Sequence, residues 1–313
     1  MPRRLQSRWE QWDLPRLSRQ LGVDALYSHR EAGGLWGAPL VLHIPEDPEV
    51  RWKRDPPASS RAHARRLYSR TLLRQVIRRS AVVAASTSSV ANQLAARYGV
   101  ARERVWILPL GVDLELFSPV TSAADFVFHL GSSDPRDRTI VVVDAWARAR
   151  QADPSLPRLV IGGDLGAVDS LARRRADVLG ARVELTGRLS DDDLAERFRH
   201  AAVVVQPSSD EGFGLQPLEA MAAGAPVVVT ATEAVIDVVG DAAVVCGPSA
   251  TELAGGILAA VASANSLRVS ARARAEKYSW DASAQAVLTA LAAASQSARS
   301  GQPVASPDHR VDQ

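Results

Sequence analysis

Cysteine is nearly absent from this 313-residue chain. Cys246 is the single one, which excludes an intramolecular disulfide and a cysteine-rich zinc site. Lysine is almost as scarce. Only Lys53 and Lys277 occur, so arginine carries nearly all the positive charge. No apolar run approaches the ~18–20 residues that span a bilayer. The N-terminal stretch MPRRLQSRWEQWDLPRL has basic residues but no apolar stretch of the kind a secretory signal needs. HExxH, GxSxG and GxxxxGK[ST] are all missing, which removes the zinc protease, serine hydrolase and P-loop signatures. What remains is ordinary: 46% hydrophobic and 23% charged residues. Such a chain buries a real core and is not disordered over most of its length. Its length fits about two domains, and the cysteine usage points to a reducing cytoplasm.

The net charge of +2 hides an asymmetry. The first 80 residues are basic and the remainder acidic. An anionic partner on the N-terminal part, or simply a solvated basic face, fits that split. No aromatic stacking platform accompanies the charge, which argues against nucleic acid.

Short apolar runs alternate with helix-like stretches. A helix is expected over about Arg8–Leu21, and strands near Ala25–Ser28 and Pro39–Ile44. A long arginine-rich helix follows at about Ser59–Arg79. AVVAAS (Ala81–Ser86) reads as a buried strand, Thr87–Tyr98 as a helix capped by a hydroxyl residue, and VWILP (Val105–Pro109) as another strand. The alternation predicts βαβ units and a parallel sheet. The polar segment Ser118–Asp125 sets a boundary at 119. Six further strand candidates follow at Phe126–Leu130, Arg158–Ile161, Arg182–Leu185, Ala202–Gln206, Pro226–Val229 and Ala243–Cys246. Six βα-type units predict a Rossmann-like doubly wound domain over 120–278. Thr251–Lys277 reads as Ala-rich helix. Residues 279–296 form a C-terminal helix, and the polar tail 297–313 is expected to be disordered.

The chemistry concentrates in PSSDEGFGLQPLEAMAAGAPVVV (Pro207–Val229). A strand runs into a polar loop, then Gly-Phe-Gly, then a helix. In an open parallel sheet such loops face the ligand crevice. A glycine loop entering a helix offers free backbone N–H groups to an anion, and the helix dipole favours negative charge there. A phosphate is therefore expected at the backbone of Phe213, Gly214, Leu215 and Gln216. Glu211 precedes the helix and Glu219 lies within it. Carboxylates accept from hydroxyls, so a sugar and a ribose on either side of a diphosphate would suit them. Taken alone, two such acids also fit ordinary helix N-terminal positions.

The combination resembles the retaining glycosyltransferases of the GT-B fold, of the glycosyltransferase family 4 (group 1) type. The residues that carry the resemblance are Glu211 and Glu219 in EGFGLQPLEAMAAGAPV, with LPLGVDLELFSP (Leu108–Pro119), HLGSSDPRDRT (His129–Thr139) and VELTGRLSDDDLAERFRHA (Val183–Ala201). YSWDASA (Tyr278–Ala284) adds to them, and PLVLHIPED (Pro39–Asp47) matches more weakly. The resemblance implies an α/β chain with two Rossmann-like domains facing a cleft. It implies transfer of a mannose- or glucose-type hexose from a nucleotide-diphosphate sugar, with retention, and no metal cofactor. Glu211 would contact the transferred sugar, Glu219 the nucleotide ribose, and His43 the reacting centre. Gly131, Arg136 and Arg138 would lie by the diphosphate.

Two features depart from the family pattern. Arg136–Asp137–Arg138 stands where the family usually carries Arg-Lys-Asn, which puts an acid at the lysine position. The N-terminal domain, 1–119, is also shorter than usual. A non-catalytic nucleotide- or partner-binding protein is therefore the alternative. The acceptor side implies a sugar, lipid-linked or polysaccharide acceptor. Arg61–Arg79 reads either as a basic helix lying on an anionic membrane surface or as a solvated face. The expected location is cytoplasmic, with peripheral membrane attachment if the basic helix serves that way. The run Asp191–Asp193 reads as helix capping rather than a metal site.

Overall fold

The computed structural model describes residues 8–29, 33–49, 59–120, 125–180, 183–300, 304, 306 and 307. The chain divides into two compact units, Met1–Pro109 with Asp281–Gln313, and Leu110–Trp280.

The first unit holds a four-stranded parallel sheet in the order β1-β2-β3-β4. The strands are β1 (Leu26–Ser28), β2 (Leu40–Ile44), β3 (Val82–Ala85) and β4 (Val105–Ile107). Every residue of β2 and β3 is buried, as expected of strands covered on both faces. Two hydroxyl caps start the helices between them. Ser59 accepts from the Ala62 N–H at the head of α2 (Ser60–Arg79), and Thr87 accepts from the Val90 N–H at the head of α3 (Ser88–Tyr98).

The expected N-terminal helix is divided into a π-helical turn, Trp9–Asp13, and α1 (Leu14–Gln20). Pro15 has no N–H to give to the carbonyl one turn back. That carbonyl, on Gln11, accepts from Trp36 Nε1 at 2.8 Å instead.

The last helix, α11 (Trp280–Ser300), returns to this unit from Asp281 onward. Its Ala290 and Ala294 pack on Val41, Val82, Ala84, Trp106 and Leu108. The sequence reading ended the helix at 296 and began a disordered tail at 297; the helix continues to Ser300. Most of the tail beyond it lies outside the described residues. The units part at Pro109/Leu110, whereas the polar stretch had set the boundary at 119.

The second unit holds six parallel strands in the order β10-β9-β8-β5-β6-β7. They are β5 (Phe126–Leu130), β6 (Arg158–Gly162), β7 (Val183–Gly187), β8 (Ala201–Gln206), β9 (Val227–Thr230) and β10 (Val244–Cys246). Strand order reverses between β5 and β8. In this architecture the ligand crevice opens there, at the carboxyl ends of the strands.

Side chains alternate across the sheet. Val127, Leu159, Ile161, Val203, Val205 and Val228 face α4 (Thr139–Ala152), α5 (Val168–Val178) and α9 (Ala250–Ala262). Phe126, Phe128, Val160, Val204, Val227 and Val229 face α6 (Asp191–His200), α7 (Leu215–Ala222), α8 (Glu233–Val239) and α10 (Ala264–Ala275). The Ala-rich run Thr251–Lys277 is thus two helices, bent by 93° at Ser263. Its halves serve opposite faces of the sheet, which no single straight helix could do. Among the described residues no single helix is long and apolar enough to cross a membrane.

The ends of β5 and β6 approach closely. Gly131 N donates to Gly162 O at 3.0 Å. Gly163 has φ +101°, and a Cβ there would lie 1.9 Å from Gly131 O. Both the positive φ and the approach require glycine. Gly163→Ala is therefore expected to destabilise the second unit by about 2 kcal/mol or more. Chemical denaturation checks this; an unchanged midpoint would contradict the close packing.

Candidate functional site

The candidate site of the second unit is built from two loops and one helix. The first loop, Gly131–Arg138, leaves β5. Asp134 caps the short 3-10 turn Pro135–Asp137 by accepting from Arg136 N at 2.9 Å. The Asp134 carboxylate also accepts from Arg136 Nε at 3.0 Å and lies 3.0 Å from its Nη2. Arg136 is thus held in place, with part of its charge offset. Arg138 starts α4 with φ 51°, the one positive-φ non-glycine among the described residues. Its Nη2 donates to Pro248 O at 2.5 Å, while Nη1 is buried without a partner among the described residues.

The second loop, Pro207–Gly214, leaves β8. Ser208 O accepts from Thr230 Oγ1 at 2.5 Å, and Ser208 Oγ accepts from Gln206 Nε2 at 2.9 Å. Ser209 N donates to Arg136 O at 3.2 Å, which joins the two loops.

Beneath them sits His129, fully buried in β5. Its Nδ1 lies 2.9 Å from Val205 O and its Nε2 lies 3.1 Å from Thr139 Oγ1. A carbonyl only accepts, so Nδ1 carries the hydrogen and Nε2 accepts from Thr139. Burial lowers the pKa of the ring, against the pull of the Val205 hydrogen bond and the Asp137 charge. His129 was not singled out from the sequence. Its signals there were an imidazole inside an otherwise apolar strand and its place at the head of the His129–Thr139 motif.

Helix α7 begins at Gly214, whose φ is 92°. No side chain caps this helix and no acid lies in its first turn. Its leading N–H groups, at Leu215 and Gln216, therefore have no intrahelical acceptor. Pro217, two residues on, has no N–H to satisfy. Phe213 is buried and meets Tyr278 edge-on at 5.8 Å, so it offers the site only its backbone. Gln216 Oε1 is buried without a partner among the described residues.

The two glutamates bracket this helix start. Glu211 is half-buried in the loop. Glu219 is half-buried on α7, and burial, followed by the charge of Asp191 at the head of α6, pushes its pKa up to about 7. Asp191, Asp192 and Asp193 form the first turn of α6, behind the Ser190 cap. Among the described residues no cluster of His, Cys, Asp and Glu could hold a metal ion.

The structure therefore gathers Gly131, Arg136, Arg138, Glu211, Phe213, Gly214, Leu215, Gln216 and Glu219 into one unit, at the carboxyl ends of β5 and β8 and around the head of α7. His43 belongs to the first unit. It lies one residue before the end of β2, 2% exposed, between Tyr27 and Ser86.

Comparison with known proteins agrees with this architecture. A family described as glycosyl transferases group 1 matches residues 119–279, and glycosyltransferase family 4 matches residues 1–116. A D-inositol 3-phosphate glycosyltransferase of Geodermatophilus obscurus is 31% identical over 246 residues, 71% of this chain and 54% of that protein. The enzyme of the same name from Jonesia denitrificans is 29% identical over 308 residues, 87% of this chain and 72% of the relative. The chain thus spans about half to three-quarters of these relatives. Among solved structures, Anabaena HepE in complex with UDP and glucose superposes with a TM-score of 0.69 at 18% identity, covering 88% of this chain and 80% of that one. Sucrose-phosphate synthase of Thermosynechococcus elongatus gives 0.65 at 24% identity, covering 85% and 69%. With one of these families matched over more than half of its length, the chain belongs to the group 1 glycosyl transferases, of the family 4 type, and has the GT-B fold.

Proposed function

We propose that this chain transfers a hexose from a nucleotide-diphosphate sugar to an acceptor, with retention of anomeric configuration. The observation that carries the reading is the uncapped head of α7, bracketed by Glu211 and Glu219 at the switch point of the sheet. The diphosphate lies on the backbone N–H groups of Gly214, Leu215 and Gln216 and beside Gly131. Arg136 adds positive charge, and Arg138 lines the far side of the loop. This assigns leaving-group stabilisation to the helix and arginine, with no metal. Glu211 accepts from hydroxyls of the transferred sugar and Glu219 from the ribose. The family resemblance gives His43, in the first unit, a role in catalysis. Glucose with uridine and mannose with guanosine both fit. HepE, solved with UDP and with UDP-glucose, makes uridine the first base to try.

A second reading has its own support. Asp137 stands where the family carries lysine, Arg136 is paired to Asp134, and Arg138 to Pro248 O. A chain that binds the nucleotide without transferring sugar would keep the helix site and lack free cations at the leaving group. Calorimetry with UDP, GDP and ADP, followed by a transfer assay, separates the two. Nucleotide binding lost in Glu219→Ala, with transfer reduced at least 100-fold in a folded Glu211→Ala, supports the enzyme. Binding without turnover supports the second reading, and normal turnover in Glu211→Ala rejects the site.

Glu219 also gives the site a pH signature. Its carboxylate must be ionised to accept from two ribose hydroxyls, and the empty site ionises at about pH 7. A ligand that prefers the ionised form releases a proton on binding. Affinity for a nucleotide sugar is expected to rise with pH from 6 to 8, and Glu219→Gln to flatten that rise. Calorimetry in buffers of different ionisation enthalpy checks the proton release; no release would remove Glu219 from the ribose.

The acceptor is a sugar, a lipid-linked sugar or a polysaccharide, handled at the cytoplasmic membrane face. Within Arg61–Arg79, α2 buries Leu73, Val76 and Ile77 and exposes Arg74, Arg78 and Arg79, with Leu67 and Tyr68 also outward. Such a face suits anionic lipid. Co-sedimentation with phosphatidylserine vesicles is expected to fall severalfold when Arg74, Arg78 and Arg79 become glutamine; an unchanged bound fraction would leave α2 as a solvated helix.

A further inference from the structure

The first unit holds a line of three polar side chains across neighbouring strands. Tyr27 lies on β1, His43 on β2, and Ser86 directly follows β3. Tyr27 Oη is 2.7 Å from His43 Nδ1, and His43 Nε2 is 3.0 Å from Ser86 Oγ. His43 and Ser86 are 2% and 1% exposed, so water does not compete for the bond between them. Both ring nitrogens are therefore used inside the unit.

A neutral imidazole carries one hydrogen, so the line has two possible orders. In one, Tyr27 donates to Nδ1 and Nε2–H donates to Ser86. In the other, Ser86 donates to Nε2 and Nδ1–H donates to the phenol oxygen. The distances favour the first. The shorter contact suits a hydroxyl donor, and 3.0 Å is the usual length of an N–H···O bond. Chemistry agrees, since a phenol is a stronger donor than an aliphatic hydroxyl and a weaker acceptor. Burial holds the Tyr27 hydroxyl in its protonated form, and it holds the ring neutral with help from the nearby His29.

We propose that Tyr27 is a positioning residue for His43: its hydroxyl donates to Nδ1 and fixes the ring with its hydrogen on Nε2, directed at Ser86. His43 is then not a proton acceptor. The line ends at the buried Ser86 hydroxyl, which accepts from Nε2. The meaning for catalysis rests on the catalytic role proposed for His43, but the hydrogen position does not.

The test reads the ring in the full-length chain without donor or acceptor, so failure of the transferase reading leaves it intact. Long-range 1H–15N correlation of the histidine rings at pH 7, with His43→Gln to assign the signals, distinguishes protonated from unprotonated nitrogens. The wild-type ring is expected to show an unprotonated Nδ1 and a protonated Nε2. In Tyr27→Phe the hydrogen is expected to spread over both nitrogens. Should that variant unfold, Ser86→Ala serves instead and is expected to keep the hydrogen on Nε2. A wild-type ring protonated on Nδ1 overturns the proposal. So does a folded Tyr27→Phe with an unchanged ring, or a Ser86→Ala ring that moves its hydrogen to Nδ1.

Discussion

His129, sealed at the carboxyl end of β5, gives one hydrogen bond to the Val205 carbonyl and takes one from Thr139. The rest of the second unit's site depends on that pair. Val205 belongs to β8, across the switch point, and Thr139 opens α4. One neutral ring therefore extends the β5–β8 pairing past the last ladder residues, Phe128 and Val204, and joins the start of α4 to it. Burial penalises a charged imidazole there and selects the neutral form. Above it, the Ser209–Arg136 backbone bond ties the two loops together. The loops are polar, yet little of their placement is left to solvent.

The electrostatics of the site are made mostly from backbone. The head of α7 supplies N–H groups and the positive end of a dipole, while Arg136 is paired to Asp134 and Nη2 of Arg138 to the Pro248 carbonyl. Such a site favours a diffuse anionic group over a single point charge. Glu219 adds a carboxylate whose ionisation is poised near neutrality, because α7 lies buried on the sheet and Asp191 lies close by. Its state responds to what binds, and an exposed glutamate on the same helix would not.

Small residues allow the close approaches elsewhere. Gly131 and Gly163 bring two loop backbones together at the sheet end. Ala290 and Ala294 let α11 pack on the first unit's sheet, and Ala271 and Ala275 do the same for α10 on the second. The alanine-rich composition therefore has a packing role here: it fills both cores with helices set close to their sheets, where fuller side chains would hold them apart.

Period and turn chemistry determine much of this protein from sequence alone. The runs VVVQ and PVVV read as buried parallel strands, Thr87 was readable as a cap, and the EGFG loop before an apolar helix brought Glu211, Phe213, Gly214, Leu215, Gln216 and Glu219 together. Tertiary structure decided the rest. The Ala-rich stretch after Ser249 has no residue that forbids one long helix; the need to cover both faces of the sheet breaks it at Ser263. Pro15 divides the expected N-terminal helix, and Trp36, distant in sequence, takes up the freed Gln11 carbonyl. No local pattern tells α11 to return to the first sheet, because its alanines fit any flat apolar face. His129 and the Tyr27–His43–Ser86 line were hidden for the same reason. A hydrogen-bonded partner on another strand is a contact in space, and the spacing of residues along one chain does not encode it.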